Sequence, residues 1–247
     1  MENKKEIIEV CLLAGKIMLQ SGAETYRVED TMNRIAASFG VEDSHSYVTP
    51  TVIIFSINGI EPTNLIRISD RSTDLEKVTI VNSISRNISA GNVTIEEAKN
   101  QLQQVESAKH SYPEWIQIMA SALASGCFTI MFLGGWVDFI PSAIAGGVGY
   151  ACFMFIHRYV ELKFFAEFLA SFMIAAIAYV FVEFGIGQEL DKIIIGSVMP
   201  LVPGLLITNA VRDLIAGHLV SGISKGADAF LTAFAIGTGV AVVLSIF

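Results

Sequence analysis

The sequence predicts an α-helical polytopic membrane protein, with about five transmembrane helices and an N-terminal α+β cytoplasmic domain. Three observations carry that prediction. Of the 247 residues 53% are hydrophobic, with a mean hydropathy of +0.57; a soluble domain reaches only about 45–50% apolar with its glycines included. Charge is segregated: residues up to Glu114 hold 11 Lys and Arg and 16 Asp and Glu, and the rest of the chain holds 5 and 8. Such asymmetry marks two regions in different solvents. Finally, five apolar stretches follow one another at about 115–134, 139–156, 164–183, 193–211 and 228–247, each close to the roughly 20 residues that cross hydrocarbon. The expected division is a head at 1–110 and a transmembrane domain at 111–247.

The head reads in the order ααββαα. A first helix from about Lys4 to Gln20 carries the stripe Ile7, Cys11, Ala14 and Met18. A second, from about Ala23 to Ser38 between Gly22 and Gly40, carries Val28, Met32, Ile35, Ala36 and Phe39 on one helical face. The Val-, Ile- and Thr-rich run that follows predicts a hairpin at roughly 46–57 and 63–69 turning at Asn58-Gly59, with Pro50 toward an edge. Thr73 with Glu76 and Thr94 with Glu97 are capping boxes opening two further helices, with Leu75, Val78, Val81 and Ile88 on the first and Ile95, Ala98, Leu102 and Val105 on the second.

Several functions are disfavoured. A net charge of −8 with no basic stripe argues against nucleic acid. Cys11, Cys127 and Cys152 stand apart in different segments, as apolar core residues do, and no Cys/His spacing predicts a metal. His45 and His110 are isolated. No phosphate loop, GxSxG or HExxH occurs, so no catalytic residue and no cofactor is expected. The charged start MENKKEIIEV lacks the apolar core of a signal peptide, which keeps the head in the cytoplasm. The loops at 157–163 and 212–227 are then inside with Arg158, Lys163, Arg212 and Lys225, and those at 135–138 and 184–192 outside with Lys192. That distribution follows the positive-inside rule. Trp115 and Trp136 fit interfacial positions, and Ser121, Ser125, Gly146, Gly149, Tyr150, Ala229, Ala233 and Gly237 form small-residue rows for close helix packing.

Two features point toward chemistry. The fourth apolar stretch contains Pro200 and Pro203-Gly204. Each proline removes a helical hydrogen bond, which should leave the carbonyls of Gly196 and Met199 without their usual donors. Such a break must face protein or a wet cavity. Broken helices build substrate sites in transporters, where a half-helix N-terminus attracts an anion and freed carbonyls accept an ammonium. An amino acid would suit both ends, with Thr208 and Asn209 adding hydrogen bonds; a kink for shape alone is the other reading. The second feature is a set of ionisable groups near or within the membrane: Asp138, Glu167, Glu183, Asp213, His218 and Asp228. Burial there is expensive. Asp138 and Glu183 also suit ordinary interfacial positions, whereas Glu167, Asp213 and His218 are candidates for proton coupling or gating. In the head the densest polar cluster is SGAETYRVED, with Gly22, Glu24, Thr25, Arg27, Glu29 and Asp30. It reads either as a solvated first turn or as a contact surface for the membrane part.

SGAETYRVEDTMNRI at 21–35, GCFTIMFLGGWVD at 126–138 and VPGLLITNAVRDLIAGH at 202–218 resemble the threonine/serine exporter family of the ThrE type, over essentially the whole chain. The match is closest to the larger subunit of its two-component, YjjP-like form. The resemblance implies export of small hydrophilic amino acids, or of small carboxylates, driven by the membrane gradient across a bacterial cell membrane. It also implies a second, smaller membrane subunit, in a hetero- or homo-oligomer. The family's signature falls on Gly22, Ala23, Glu24, Val28, Gly135, Asp138, Pro203, Gly204, Asn209, Asp213, Gly217 and His218. The competing reading is a membrane-anchored sensor or scaffold.

Overall fold

The computed structural model describes residues 2–57, 62–108, 112–160 and 162–246. Two compact units are present: Met1–Ser111 with Leu205–Gly226, and Tyr112–Gly204 with Ala227–Phe247.

The first unit opens with α1 (Glu2–Gln20) and α2 (Thr25–Ser38). Helix α1 stops where Gly22 takes a φ of +89°, with Gly22 N–H donating to Leu19 O and Ala23 N–H to Met18 O. That double bond pattern is a Schellman C-cap, which a residue with a Cβ adopts only under strain. Glu24 is extended, with φ −64° and ψ 140°, so α2 starts at Thr25 rather than at Ala23.

Three strands follow: β1 (Ser44–Thr49), β2 (Val52–Ile57) and β3 (Asn64–Arg67), antiparallel in the order β1-β2-β3. The single strand expected over 46–57 is thus two strands. Thr49 pairs with Val52 across a turn at Pro50–Thr51. Proline suits a turn because its φ is already set and it has no N–H to give a ladder; the apolar alternation running through it hides the break. Asn58-Gly59 and His110 lie outside the described residues.

Helix α3 (Leu75–Ser89) is capped by Asp74, whose carboxylate accepts from Lys77 N–H at 3.0 Å, one residue after the expected Thr73. Helix α4 (Ile95–Ser107) has the full Thr94–Glu97 box. Helix α1 packs on α2, α3, α4 and β2. The core between them includes Met18, Met32, Ile35, Ile53, Phe55, Val81 and Leu102, all fully buried. Each such side chain contributes about 1.5–3 kcal/mol of transfer free energy.

The second unit contains α5 (Glu114–Met131), α6 (Trp136–Val160), α7 (Lys163–Glu183) and α8 (Leu190–Val198), then a 3-10 turn at Met199–Leu201. Beyond it run α9 (Gly204–Ile215) and α10 (Leu219–Ile246). Helix α5 packs on α6 and α8, and α7 on α6 and α8. Close approach depends on small residues: a Cβ on Gly196 would lie 2.7 Å from Thr129 N and 2.9 Å from Ser125 O, and one on Gly126 2.8 Å from the Phe139 ring. Among the described residues three helices, α6, α7 and α10, are long and apolar enough to cross a membrane, or up to four if Leu190–Leu201 with Gly204–Ile215 is one span. The sequence predicts about five. Helix α5 is long enough but carries Glu114 and Gln117 in its first turn, which lower its mean hydropathy.

Candidate functional site

The motif at 21–30 does not stand as a solvated turn. In the first unit it is held against residues 209–225. Thr25, the first residue of α2, donates its backbone N–H to Oδ1 of Asp213 at 2.9 Å and its hydroxyl to Oδ2 at 2.9 Å. An aspartate 188 residues away in sequence therefore caps α2, where the exposed N–H groups and the helix dipole favour a negative charge. Lys225, on the first turns of α10, donates to Asp213 Oδ2 at 2.7 Å, to Thr25 Oγ1 at 3.2 Å and to Ala23 O at 3.3 Å. Both charged partners are buried, Asp213 completely. A buried ion pair is tolerated only when its remaining hydrogen-bonding capacity is filled, and here both Asp213 oxygens are occupied.

Polar contacts surround this pair. Asn209 donates its side-chain amide to Gly22 O at 2.8 Å. Glu24 is buried, pairs with Arg27 Nε at 3.2 Å and accepts from Arg212. Ser221 donates to Val48 O at 3.3 Å, and Val48 N–H donates to Glu29 Oε1 at 2.8 Å. Those two bonds satisfy the outward backbone groups of Val48 on the open edge of β1. His218 Nδ1 lies 3.7 Å from Glu29 Oε1. Burial pushes the Glu29 carboxyl above its ordinary range, against the Val48 N–H and His218, which lower it. Helix α9 ends in a second Schellman cap at Gly217, φ +88°, with His218 N–H on Asp213 O at 2.8 Å. So Gly22, Glu24, Thr25, Arg27, Asn209, Asp213 and His218 come together, whereas Thr208 is exposed on α9.

At the helix break one of the two carbonyls expected to lack a donor is satisfied: Met199 O accepts from Val202 N–H at 3.1 Å, the tighter 3-10 closure replacing the bond that Pro203 removes. Pro200 lies in that turn and Gly204 opens α9. Pro200, Pro203 and Gly204 all belong to the second unit.

In the second unit Asp138 is fully buried at the start of α6. Its Oδ1 accepts from Gln188 and Glu189 N–H at 2.6 and 3.3 Å, and its Oδ2 from Gly135 N–H at 3.3 Å. It ties the chain before α8 to the turn before α6, as an anchor does. Hydroxyls form a seam along α5, α6 and α8: Thr129 donates to Ser142 at 2.5 Å, Ser142 and Ser197 share a bond at 3.0 Å, and Ser125 reaches Ser197 O at 3.5 Å. Glu167, buried on α7, accepts from Thr232 Oγ1 at 3.2 Å, and Lys163 Nζ lies 3.2 Å from Asp228. Among the described residues no group of three or more His, Cys, Asp or Glu is arranged to hold a metal.

Sequence reasoning missed Lys225 and Arg212 as members of the cluster. Lys225 and Arg212 read only as positive charges in a loop. Nothing local to them signals a partner near residue 24.

Residues 9–247 match the ThrE family, described as "Putative threonine/serine exporter". The chain is 24% identical to the "Probable threonine/serine exporter" of Mycobacterium tuberculosis, over 93% of this chain and 44% of that protein. It is 24% identical to the "Threonine/serine exporter" of Corynebacterium glutamicum, over 95% of this chain and 50% of that protein. It thus spans about half the length of those two relatives. Against the "Probable succinate transporter subunit YjjP" of Escherichia coli, also 24% identical, the match covers 99% of this chain and 96% of the relative. No solved structure matches the chain. The family match runs almost from end to end, and the chain therefore belongs to the ThrE family.

Proposed function

We propose that this chain is the larger subunit of a gradient-driven exporter of small hydrophilic amino acids of the threonine and serine kind. In this reading it works with a second, smaller membrane subunit as a hetero- or homo-oligomer in a bacterial cell membrane, multi-pass, with residues 1–110 as a cytoplasmic head and 111–247 as a five-helix transmembrane domain. Coverage supports the partner: the exporters from Mycobacterium and Corynebacterium are about twice as long, whereas the protein that this chain spans almost whole is named a subunit.

The observation that carries the reading is the Asp213–Lys225–Thr25 cluster. The segment behind the proline-broken helix is held by the head motif through a buried charge pair, an arrangement that an inert anchor does not need. Pro200, Pro203, Gly204, Thr208 and Asn209 are the path candidates in this account, a half-helix start and its polar neighbours suiting the carboxylate and ammonium of an amino acid. Asp213 and His218 act in gating, with Gly22, Glu24, Thr25 and Arg27 as the head's side of the gate. Asp138 holds the far loop.

A second reading, export of small dicarboxylates, is favoured by the name of the Escherichia coli relative. Efflux from cells preloaded with labelled threonine, serine or succinate, with and without the membrane protein that co-purifies with this chain, separates the readings. Threonine or serine efflux that needs both proteins supports the first. Succinate efflux alone supports the second. No efflux of any of them with both proteins present favours a sensor or scaffold.

A further inference from the structure

Three buried carboxylates sit in or beside the apolar helices, and one is unlike the others. Asp213 has both oxygens occupied, by Thr25 and Lys225. Asp138 has both occupied, by three backbone N–H groups. Glu167 has only Oε1 engaged, by Thr232 Oγ1 at 3.2 Å; its Oε2 is buried with no hydrogen-bond partner. The Glu167 side chain is 4% exposed. An ionised carboxylate with one oxygen unsatisfied in such a place is costly, and taking up a proton removes the charge. Lys163, one turn earlier on α7, stands 3.8 Å from Glu167 Oε1 and closer, at 3.2 Å, to Asp228 Oδ1 on α10. Lys163 and Asp228 are the charged groups that act on Glu167 from its own helix and from α10. Exposure falls along the set, from 39% at Lys163 and 24% at Asp228 to 4% at Glu167.

We propose that Glu167, Lys163 and Asp228 form a proton-binding site, in which Glu167 carries the exchangeable proton and Lys163 is a tethered cation competing with it. The proposal rests on the gradient-driven reading and assigns its coupling group. The proton arrives from water at the Lys163 end and forms an O–H bond at Glu167 Oε2; no other bond breaks. The ammonium is then released from Glu167 and kept by Asp228. Release of the proton restores the carboxylate and draws Lys163 back toward it. Asp213 differs in that its oxygens are saturated by a fixed ammonium and by Thr25.

The test is infrared difference titration of the full chain in lipid nanodiscs. The protonated-carboxyl signal of the parent is expected to contain one titrating component that Glu167→Gln lacks and Glu167→Asp regains, read as the difference between parent and variant. Lys163→Met is expected to move the midpoint of that component by about tenfold or more in proton concentration, because an opposite charge at this distance shifts a carboxyl by about 1–3 pH units. Identical titrations of the parent and Glu167→Gln, or a midpoint untouched by Lys163→Met, overturn the site. So does a midpoint that moves with sodium concentration, which would assign the site to that cation. The readout needs no transport. A titrating Glu167 without flux of any substrate leaves this site standing and sinks the exporter reading; pH-driven flux that persists in Glu167→Gln does the reverse.

Discussion

Removing one side of the Asp213–Lys225 pair tests the cluster most sharply. Asp213→Asn keeps the shape and keeps an acceptor for Thr25, but leaves the Lys225 ammonium, 5% exposed, with only Thr25 Oγ1 and Ala23 O at 3.2 and 3.3 Å. A buried charge deprived of its partner costs about 3–5 kcal/mol. Lys225→Met leaves Asp213 with the two Thr25 donors alone, a somewhat smaller loss in the same range. Because about 1.4 kcal/mol is a factor of ten, Asp213→Asn is expected to raise exchange of the protected amides at 25–30 and 209–218 by roughly two to three orders of magnitude in hydrogen–deuterium exchange. The double variant Asp213→Asn/Lys225→Met removes both charges. It is expected to cost less than the two single changes added, by about 0.5–3 kcal/mol of coupling. The reasoning fails if protection at Thr25–Asp30 is unchanged in Asp213→Asn, or if the two costs simply add.

Other consequences follow from the same contacts. Burial raises Glu29 above its ordinary value of 4.5. Its contribution to stability is therefore full below that value and is lost as pH rises through the folded-state value; Glu29→Gln, which keeps an acceptor for Val48 N–H, should flatten that part of the pH–stability curve measured by thermal unfolding. Burial pushes the Cys11 thiol up to about 12, so maleimide should spare it in the folded protein and reach it only on unfolding, as read by mass spectrometry. Gly196→Ala drives a Cβ to within 3 Å of the Thr129 and Ser125 backbones, an overpacking expected to cost about 1–3 kcal/mol. Gly237→Ala, whose new Cβ meets nothing beyond its own helix within 4 Å, should stabilise by roughly 0.5–1 kcal/mol in the same melting assay.

Much of the architecture can be read along the chain because it depends on local signals. The stripes of α1 to α4 follow the helical period, Thr94 and Glu97 lie close enough in sequence to cap each other, and Gly22 and Gly40 stop helices where they fall. The Pro50–Thr51 turn is hidden because the apolar alternation crosses it without interruption. The proline break is visible, but not the way Val202 N–H rescues Met199 O, since that depends on a tighter turn rather than on composition. The candidate site is legible only in halves. Motifs 21–30 and 202–218 each stand out, yet their meeting rests on bonds such as Thr25 to Asp213 and Lys225 to Ala23 that bridge nearly the whole chain. No periodicity encodes a contact of that separation. Glu167 stands out as an acid in an apolar run; that one of its oxygens lacks a donor is a matter of packing alone.

The gating claim is tested most directly by breaking the cluster and measuring transport. Asp213→Asn and Lys225→Met each break the buried pair that holds the head motif to the segment after the helix break. Flux of labelled threonine or serine is measured in proteoliposomes that also contain the co-purifying subunit. The account predicts that each single change alters flux by about tenfold or more, in line with a loss above about 1.4 kcal/mol, while Gly237→Ala leaves it at the parent level. Parent flux in both Asp213→Asn and Lys225→Met would contradict it.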